Sequence, residues 1–426
     1  MKRWDLVAIL INSVIGAGIF GLPSKVFALV GTYSLFVYLI CAVLILLIVM
    51  CFAELGSQFK ITGGPYIYAK EAFGPFIGFE TGWFVWLTRL TASAALCNLF
   101  IDYLSFIWSE AAALRAFIAI VIILFLAVIN IIGIRKSVSV INFFTIGKLI
   151  PLTLFILIGV LFIDFGAFSF TKELEIGSVS TSILLLIFAF IGFEGGVIPA
   201  GEIIDPKRHI PFAMFTMISV VVVYYILIQF VCIGTLPELA TSNRPLADAA
   251  SIHLGKIGGL VITIGALISI TGNLNSTMLV GPRSLFAMSE QGQLPKLFSK
   301  IHKNFHTPYI SIILSALIIL WLTISSSFIS ALKISVLIRL FTYGSAAAAI
   351  PILRRRKNVI KGSYKVPGGN LIPILVLGII IWLLSTITLT ELRDMSIITL
   401  IGLAVYLFGK RNSSKPKINS GLLIEI

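Results

Sequence analysis

The chain has 426 residues, of which 58% are hydrophobic and only 12% charged. Its mean hydropathy of +1.06 excludes a soluble globular domain, because such domains are roughly half apolar. The formal net charge of +14 is scattered over short segments between apolar runs, so it does not mark a nucleic-acid-binding domain.

About twelve apolar runs follow one another, at 5–30, 33–58, 79–106, 112–133, 140–164, 178–200, 211–236, 254–285, 309–328, 330–352, 370–390 and 393–409. Each can cross about 30 Å of hydrocarbon as a helix, the form that satisfies its own backbone in lipid. The expected fold is all-α and integral to the membrane: a single transmembrane domain over 1–409 and a tail, 410–426, in the cytoplasm. The first run is long and lacks a small-residue cleavage site, so it reads as a retained span. With a cytoplasmic N-terminus, about two-thirds of the 32 Lys and Arg residues fall on the cytoplasmic side, including Lys2, Arg3, Lys207, Arg208 and the run Arg354–Lys357. That asymmetry predicts both termini in the cytoplasm, with a bacterial inner membrane as the expected location.

In the first span, Gly16-Ala17-Gly18-Ile19-Phe20-Gly21-Leu22-Pro23 interrupts the apolar pattern. Interior glycine costs a helix about 1 kcal/mol and proline about 3, so the span is expected to be broken there. The third span carries Arg89, which should face the protein interior and pair with Glu54, with Glu194 or with a substrate carboxylate. Ser93, one turn away, shares that face. In the fifth span Lys148 sits where a charged lysine costs about 2.5–3.5 kcal/mol. It is a candidate for proton exchange, or a lysine that snorkels to the surface.

The sixth span repeats the break: Gly192-Phe193-Glu194-Gly195-Gly196-Val197-Ile198-Pro199 has the same spacing from first glycine to proline. The two breaks lie in the first and sixth spans, an odd offset of five, so the second is met in the opposite direction, as an inverted repeat requires. Repeat one would cover 5–164 and repeat two 178–352, with spans 370–390 and 393–409 appended. A half-helix N-terminus can hold a carboxylate and freed carbonyls an ammonium, so paired breaks point to a zwitterion site. Close packing through small residues, or a proline kink, would use the same residues. Glu194 reads as a gate, a proton carrier or an acceptor for the amides freed by Gly195 and Gly196. Asn273, Asn275 and Ser276 form a polar cluster in the eighth span, suited to lining a site or to interhelical hydrogen bonds. Arg339 in the tenth span has no assigned place. His209 and His253 read as loop residues, and the four cysteines as small apolar residues of the spans.

Five stretches in order resemble the amino acid–polyamine–organocation superfamily of permeases. They are Gly16–Pro23; Ala53-Glu54-Leu55-Gly56 through Gly63-Gly64-Pro65-Tyr66 to Gly82-Trp83; Phe188–Glu194; Glu202–Pro211; and Arg283 through Leu294-Pro295 to Thr307-Pro308. The resemblance implies a leucine-transporter-type fold with discontinuous helices 1 and 6, and secondary active transport of amino acids. It places the substrate carboxylate on the amides of Ala17 and Gly18 beside Gly16. It places the ammonium on carbonyls of Val14, Phe188, Ala189 and Ile191, with the Phe188 ring as a lid. A lysine on the fifth helix, here Lys148, stands in such carriers for a bound sodium and is implicated in proton coupling. The substrate-binding set is therefore Val14, Gly16, Ala17, Gly18, Ser93, Phe188, Ala189, Ile191, Asn275 and Ser276; Lys148, Glu194 and Phe188 serve coupling and gating.

The expected function is proton-coupled symport of neutral amino acids by alternating access. An exchanger, a polyamine or amine carrier and a non-transporting nutrient sensor are the alternatives. No constellation of nucleophile, acid–base pair, metal ligands or nucleotide-binding loop is present, so no enzyme, metal or cofactor is expected. The proton gradient would supply energy, and an amino acid and lipid would be the partners.

Overall fold

A computed structural model of the chain describes residues 3–59, 64–132, 138–197, 203–355 and 364–412. All regular structure among them is helical: α1 (Arg3–Val14), α2 (Ala17–Val30), α3 (Ser34–Gln58), α4 (Pro65–Phe73), α5 (Pro75–Leu104), α6 (Arg115–Ile132), α7 (Val138–Gly159), α8 (Ile176–Ala189), α9 (Pro206–Thr235), α10 (Pro245–Glu290), α11 (Tyr309–Ser325), α12 (Phe328–Arg354), α13 (Leu371–Ser385) and α14 (Leu389–Asn412). Seven helical stretches are long and apolar enough to cross a membrane: Ala17–Gln58, Pro75–Leu104, Arg115–Ile132, Ile176–Gly195, Pro206–Thr235, Pro245–Glu290 and Phe328–Arg354. Gly147–Phe162 and Tyr309–Ser325 are shorter apolar helices, and Leu371–Ser385 meets Leu389–Leu407 at 116°. The protein is an integral membrane protein.

Ala17–Gln58 has 42 residues, which at about 1.5 Å per residue is twice the hydrocarbon thickness. It divides at Gly31, whose φ of 59° suits a residue without Cβ. The long α10 likewise bends at Gly255, with φ 60° and ψ −165°. The eighth run was expected to begin at 254, and the structure adds a helical segment from Pro245 before the bend. His253 lies in that segment and His209 in the first turn of α9, so neither is a loop residue. The seventh run was expected to begin at 211, whereas α9 starts at Pro206, because proline is well placed in a helix's first turn.

The outer face of α6 shows what holds these helices in lipid. Phe117, Val121, Leu124, Phe125 and Val128 are exposed and fall on one stripe, while Ile118, Ile123, Leu126 and Asn130 point inward. At the centre, α5 packs against α10 and α12, α3 against α9, α1 against α9, and α2 against α8. Small residues permit the closest approaches: a Cβ on Gly259 would run into the ring of Phe106, and one on Gly159 into Val231. All four cysteines are free and buried.

Candidate functional site

The first expected break is present. The α1 helix ends at Val14, Ile15 closes it with an N–H bond to the Ile11 carbonyl (2.9 Å), and α2 begins at Ala17. Gly16 precedes α2 with φ −148° and ψ −145° and gives it no side-chain cap. The first amides of α2 thus have neither an intrahelical partner nor a capping side chain, and they carry the positive end of the helix dipole. The second break follows α8: Phe190, Ile191 and Gly192 form a turn, and a short 3-10 segment runs from Phe193 to Gly196. Gly192 has φ 123°, a conformation that L side chains resist. Ile198 and Pro199, the end of the expected motif, lie outside the described residues.

The two breaks touch backbone to backbone. A Cβ on Gly18 would collide with Cα of Ala189, and a Cβ on Gly192 with the Ser13 carbonyl. Tyr225 of α9 ties them together, its hydroxyl lying 2.7 Å from the Ala189 carbonyl and 3.2 Å from that of Val14. These carbonyls were expected to face an ammonium, but the phenol already engages them. The Phe188 carbonyl likewise accepts from the Ile191 amide at 3.2 Å.

Around the breaks lies a cavity of about 340 Å³, within the range of small-molecule sites. Val14, Gly16, Ala17, Gly18, Phe188, Ile191, Glu194 and Ser276 line it, as the sequence suggested, and so do Ile9, Ser13, Arg89, Asn273, Thr277 and Arg339. Phe188 packs edge to face on Phe328, centroids 6.2 Å apart, which gives the lid position a ring partner.

Three expected site residues lie elsewhere. Asn275 turns away: its Oδ1 accepts from Asn130 of α6 at 3.3 Å. The cavity face of α10 is Asn273, Ser276, Thr277 and Val280, the i, i+3, i+4, i+7 stripe, from whose centre residue 275 is rotated by about 150° at 100° per residue. Ser93 is buried between α5 and α10, with Oγ 2.8 Å from the Arg89 carbonyl and 2.7 Å from the Thr277 hydroxyl. Ala189 serves as the contact surface for Gly18 rather than as lining.

Lys148 does not snorkel. It is fully buried, and its Nζ donates to the carbonyls of Asn12 (2.8 Å) and Ile15 (2.7 Å), at the negative end of α1. Glu194 accepts from Arg339 in a buried ion pair, and its Oε2 accepts from the Gly192 amide at 3.1 Å. It therefore serves an amide freed by the break, while the Gly195 amide bonds to the Gly192 carbonyl (2.9 Å). Arg339, which had no assigned place, completes this pair; two charges in one membrane interior are a signal that they belong together. Arg89 pairs with neither expected carboxylate. Glu54 instead takes a bidentate bond from Arg354 (2.7 and 2.6 Å) and the Val366 amide (2.7 Å). Tyr225 escaped the sequence reading altogether, although each of the two adjacent phenols in its apolar run, Tyr224 and Tyr225, needs a hydrogen-bond partner when buried.

The sequence pattern of the family described as amino acid permease matches residues 1–408. A serine/threonine exchanger, SteT, of Bacillus subtilis (strain 168) is 33% identical over 407 residues, 93% of this chain and 93% of its own. A methylthioribose transporter of the same organism is 26% identical, covering 97% and 94%. The large neutral amino acids transporter small subunit 2 of Rattus norvegicus is 28% identical over 420 residues, covering 94% of this chain and 77% of that one. A whole-length family match, two broken helices around one cavity and a relative at this identity agree: the chain belongs to the amino acid permease family of the amino acid–polyamine–organocation superfamily, whose members are transporters and not enzymes.

Proposed function

We propose that this protein carries an amino acid across a bacterial cytoplasmic membrane by alternating access around the paired breaks, with both termini in the cytoplasm. The observation that carries the reading is the uncapped start of α2, which faces a cavity directly opposite the α8 break. Amides of Ala17 and Gly18 hold the α-carboxylate, and the ammonium lies against the break around Ile191, since the Val14 and Ala189 carbonyls already accept from Tyr225. Such backbone recognition serves any α-amino acid. The relatives' names favour neutral ones.

Twelve spans in a five-plus-five inverted repeat remain our reading of the architecture. Its support is the packing: pairing α1/α2 with α8, α3 with α9, α5 with α10, α6 with α11 and α7 with α12 maps the principal contacts onto one another. Thus α5 on α12 corresponds to α10 on α7, and α12 on α8 to α7 on α1.

Lys148 is the coupling residue in this reading, because it neutralises the terminal carbonyls of α1 and is positioned to loosen that half-helix on losing its proton. Proton symport follows. Exchange is the second reading, favoured by the resemblance to a serine/threonine exchanger. Two arginines in the cavity wall disfavour a polyamine cargo.

Proteoliposomes separate these readings. Symport predicts radiolabelled amino acid uptake that rises with an inward proton gradient and loses that dependence in Lys148→Ala. Unchanged gradient dependence in the variant removes Lys148 from coupling. Uptake that ignores the gradient but requires amino acid inside the vesicle establishes exchange, and binding without any uptake would identify a sensor.

A further inference from the structure

We propose that Arg89 reads the side chain of the cargo, and that the cargo is an acidic amino acid, with a second carboxylate for that guanidinium. This rests on the carrier reading above and narrows its cargo from any α-amino acid to an anionic one.

The charges around the cavity carry the inference. Four groups matter: the positive start of α2, Arg89, Arg339 and Glu194. Glu194 is the only carboxylate among the described lining residues, and it is committed to Arg339 and to the Gly192 amide. Arg89 makes no side-chain hydrogen bond or ion pair among the described residues, and its Nε is buried without a partner. Two guanidinium groups against one carboxylate leave the described lining with an excess of one positive charge. An unpaired arginine at membrane depth is costly, and the protein retains one where it serves a ligand or a partner.

The packing leaves that arginine accessible to a ligand. Along α5 the cavity face is Arg89, Ala92 and Leu96, so Arg89 is the sole polar group from that helix. Across from its stem α10 carries Gly281, where a Cβ would sit 3.6 Å from Arg89 Cβ; no α10 side chain covers the stem there. Arg89 and the start of α2 line the same cavity, so a cargo whose α-carboxylate sits at the α2 amides can direct a side-chain carboxylate toward α5. Arginine holds carboxylates through two parallel N–H bonds. A neutral zwitterion leaves the excess charge in place, whereas an amino acid of net charge −1 cancels it.

The test is competition and thermal stabilisation of the purified full-length protein by L-glutamate, L-aspartate, L-glutamine, L-asparagine, L-serine and L-leucine, alone and in Arg89→Gln and Arg89→Lys variants. Wild type should prefer the acids over their amides by about tenfold or more, as a charge-assisted pair predicts. Arg89→Gln should erase that acid-to-amide ratio, and Arg89→Lys should restore part of it. A ratio compares two ligands on one folded protein, so a merely structural arginine would leave it unchanged. Stabilisation by neutral amino acids without the acids, or an unchanged ratio in Arg89→Gln, overturns the proposal while leaving the carrier reading intact. Stabilisation by no amino acid overturns both.

Discussion

Glu194 and Arg339 illustrate how a charge is kept inside a membrane protein. Side-chain exposures of 8% and 6% leave each group little contact with water, and each is the other's main polar partner. Removing one partner from a buried pair costs about 3–5 kcal/mol, whereas replacing both with apolar groups is often near neutral. Arg339→Met should therefore lower the thermal unfolding midpoint in detergent sharply. The double variant Arg339→Met/Glu194→Leu should recover most of the loss, short of the roughly 1–3 kcal/mol that the Gly192 amide forfeits without its acceptor. A double variant as unstable as the single one would show that the pair does not act as a unit. Lys148 is the contrasting residue, since it binds carbonyls instead of a carboxylate and can release its proton without stranding an anion.

At the scale of elements, the contact between the two broken helices decides which glycines matter. Gly18 faces the Ala189 backbone and Gly192 the Ser13 carbonyl, with a left-handed φ besides, whereas Gly16 faces only the amide end of Asn273, and nothing lies within 4 Å of a Cβ on Gly195. Backbone cannot retreat as a side chain can, and overpacking costs about 1–3 kcal/mol. Gly18→Ala and Gly192→Ala should depress the folded yield and melting temperature in detergent, while Gly16→Ala and Gly195→Ala should lie near wild type; equal losses at all four would refute the ranking. Tyr225→Phe should cost about 1–3 kcal/mol, the penalty of leaving buried carbonyls unsatisfied. All of these losses are read from the same melting curves. The glycine clusters disclosed the breaks because glycine and proline are unfavourable in a helix interior whatever surrounds them. That Gly18 meets Ala189 could not be read there, since the contact joins residues far apart in the chain.

For the whole molecule, the arginine and lysine distribution sets an orientation, and the buried cysteines make it measurable. Cys41, Cys51, Cys97 and Cys232 are all buried, so a membrane-impermeant maleimide should meet little background. Glu173→Cys, exposed between α7 and α8, should label in intact cells; Lys300→Cys, exposed between α10 and α11, should label only after permeabilisation. The reverse pattern would invert the topology. On the expected cytoplasmic face, Glu54 of α3, Arg354 of α12 and the backbone of Val366 before α13 form a clasp that joins the two repeats of our reading to the appended helices. Arg354→Ala should leave the buried Glu54 carboxylate with the Val366 amide alone of that clasp and loosen the segment from 364 to 370, measured as faster proteolysis there.

Hydrophobic runs, glycine clusters and loop charges are properties of local composition, and lipid imposes them segment by segment. That is why the membrane class, most helix positions and both breaks were legible in the sequence alone, whereas the residues named around the breaks came from the family resemblance. Which face of α10 meets the cavity, which carboxylate each arginine takes, and what Tyr225 and Lys148 bind depend on helices brought together from distant parts of the chain. Asn275 and Asn273 differ by two residues and identical chemistry, yet rotation about the helix axis places one against α6 and the other in the site. Arg89 was visible as a charge in a membrane span from the start. Its lack of a partner among the described residues became visible only once the fold had assigned Glu54 to Arg354 and Glu194 to Arg339, because pairing in a low-dielectric interior is settled by position and not by sequence.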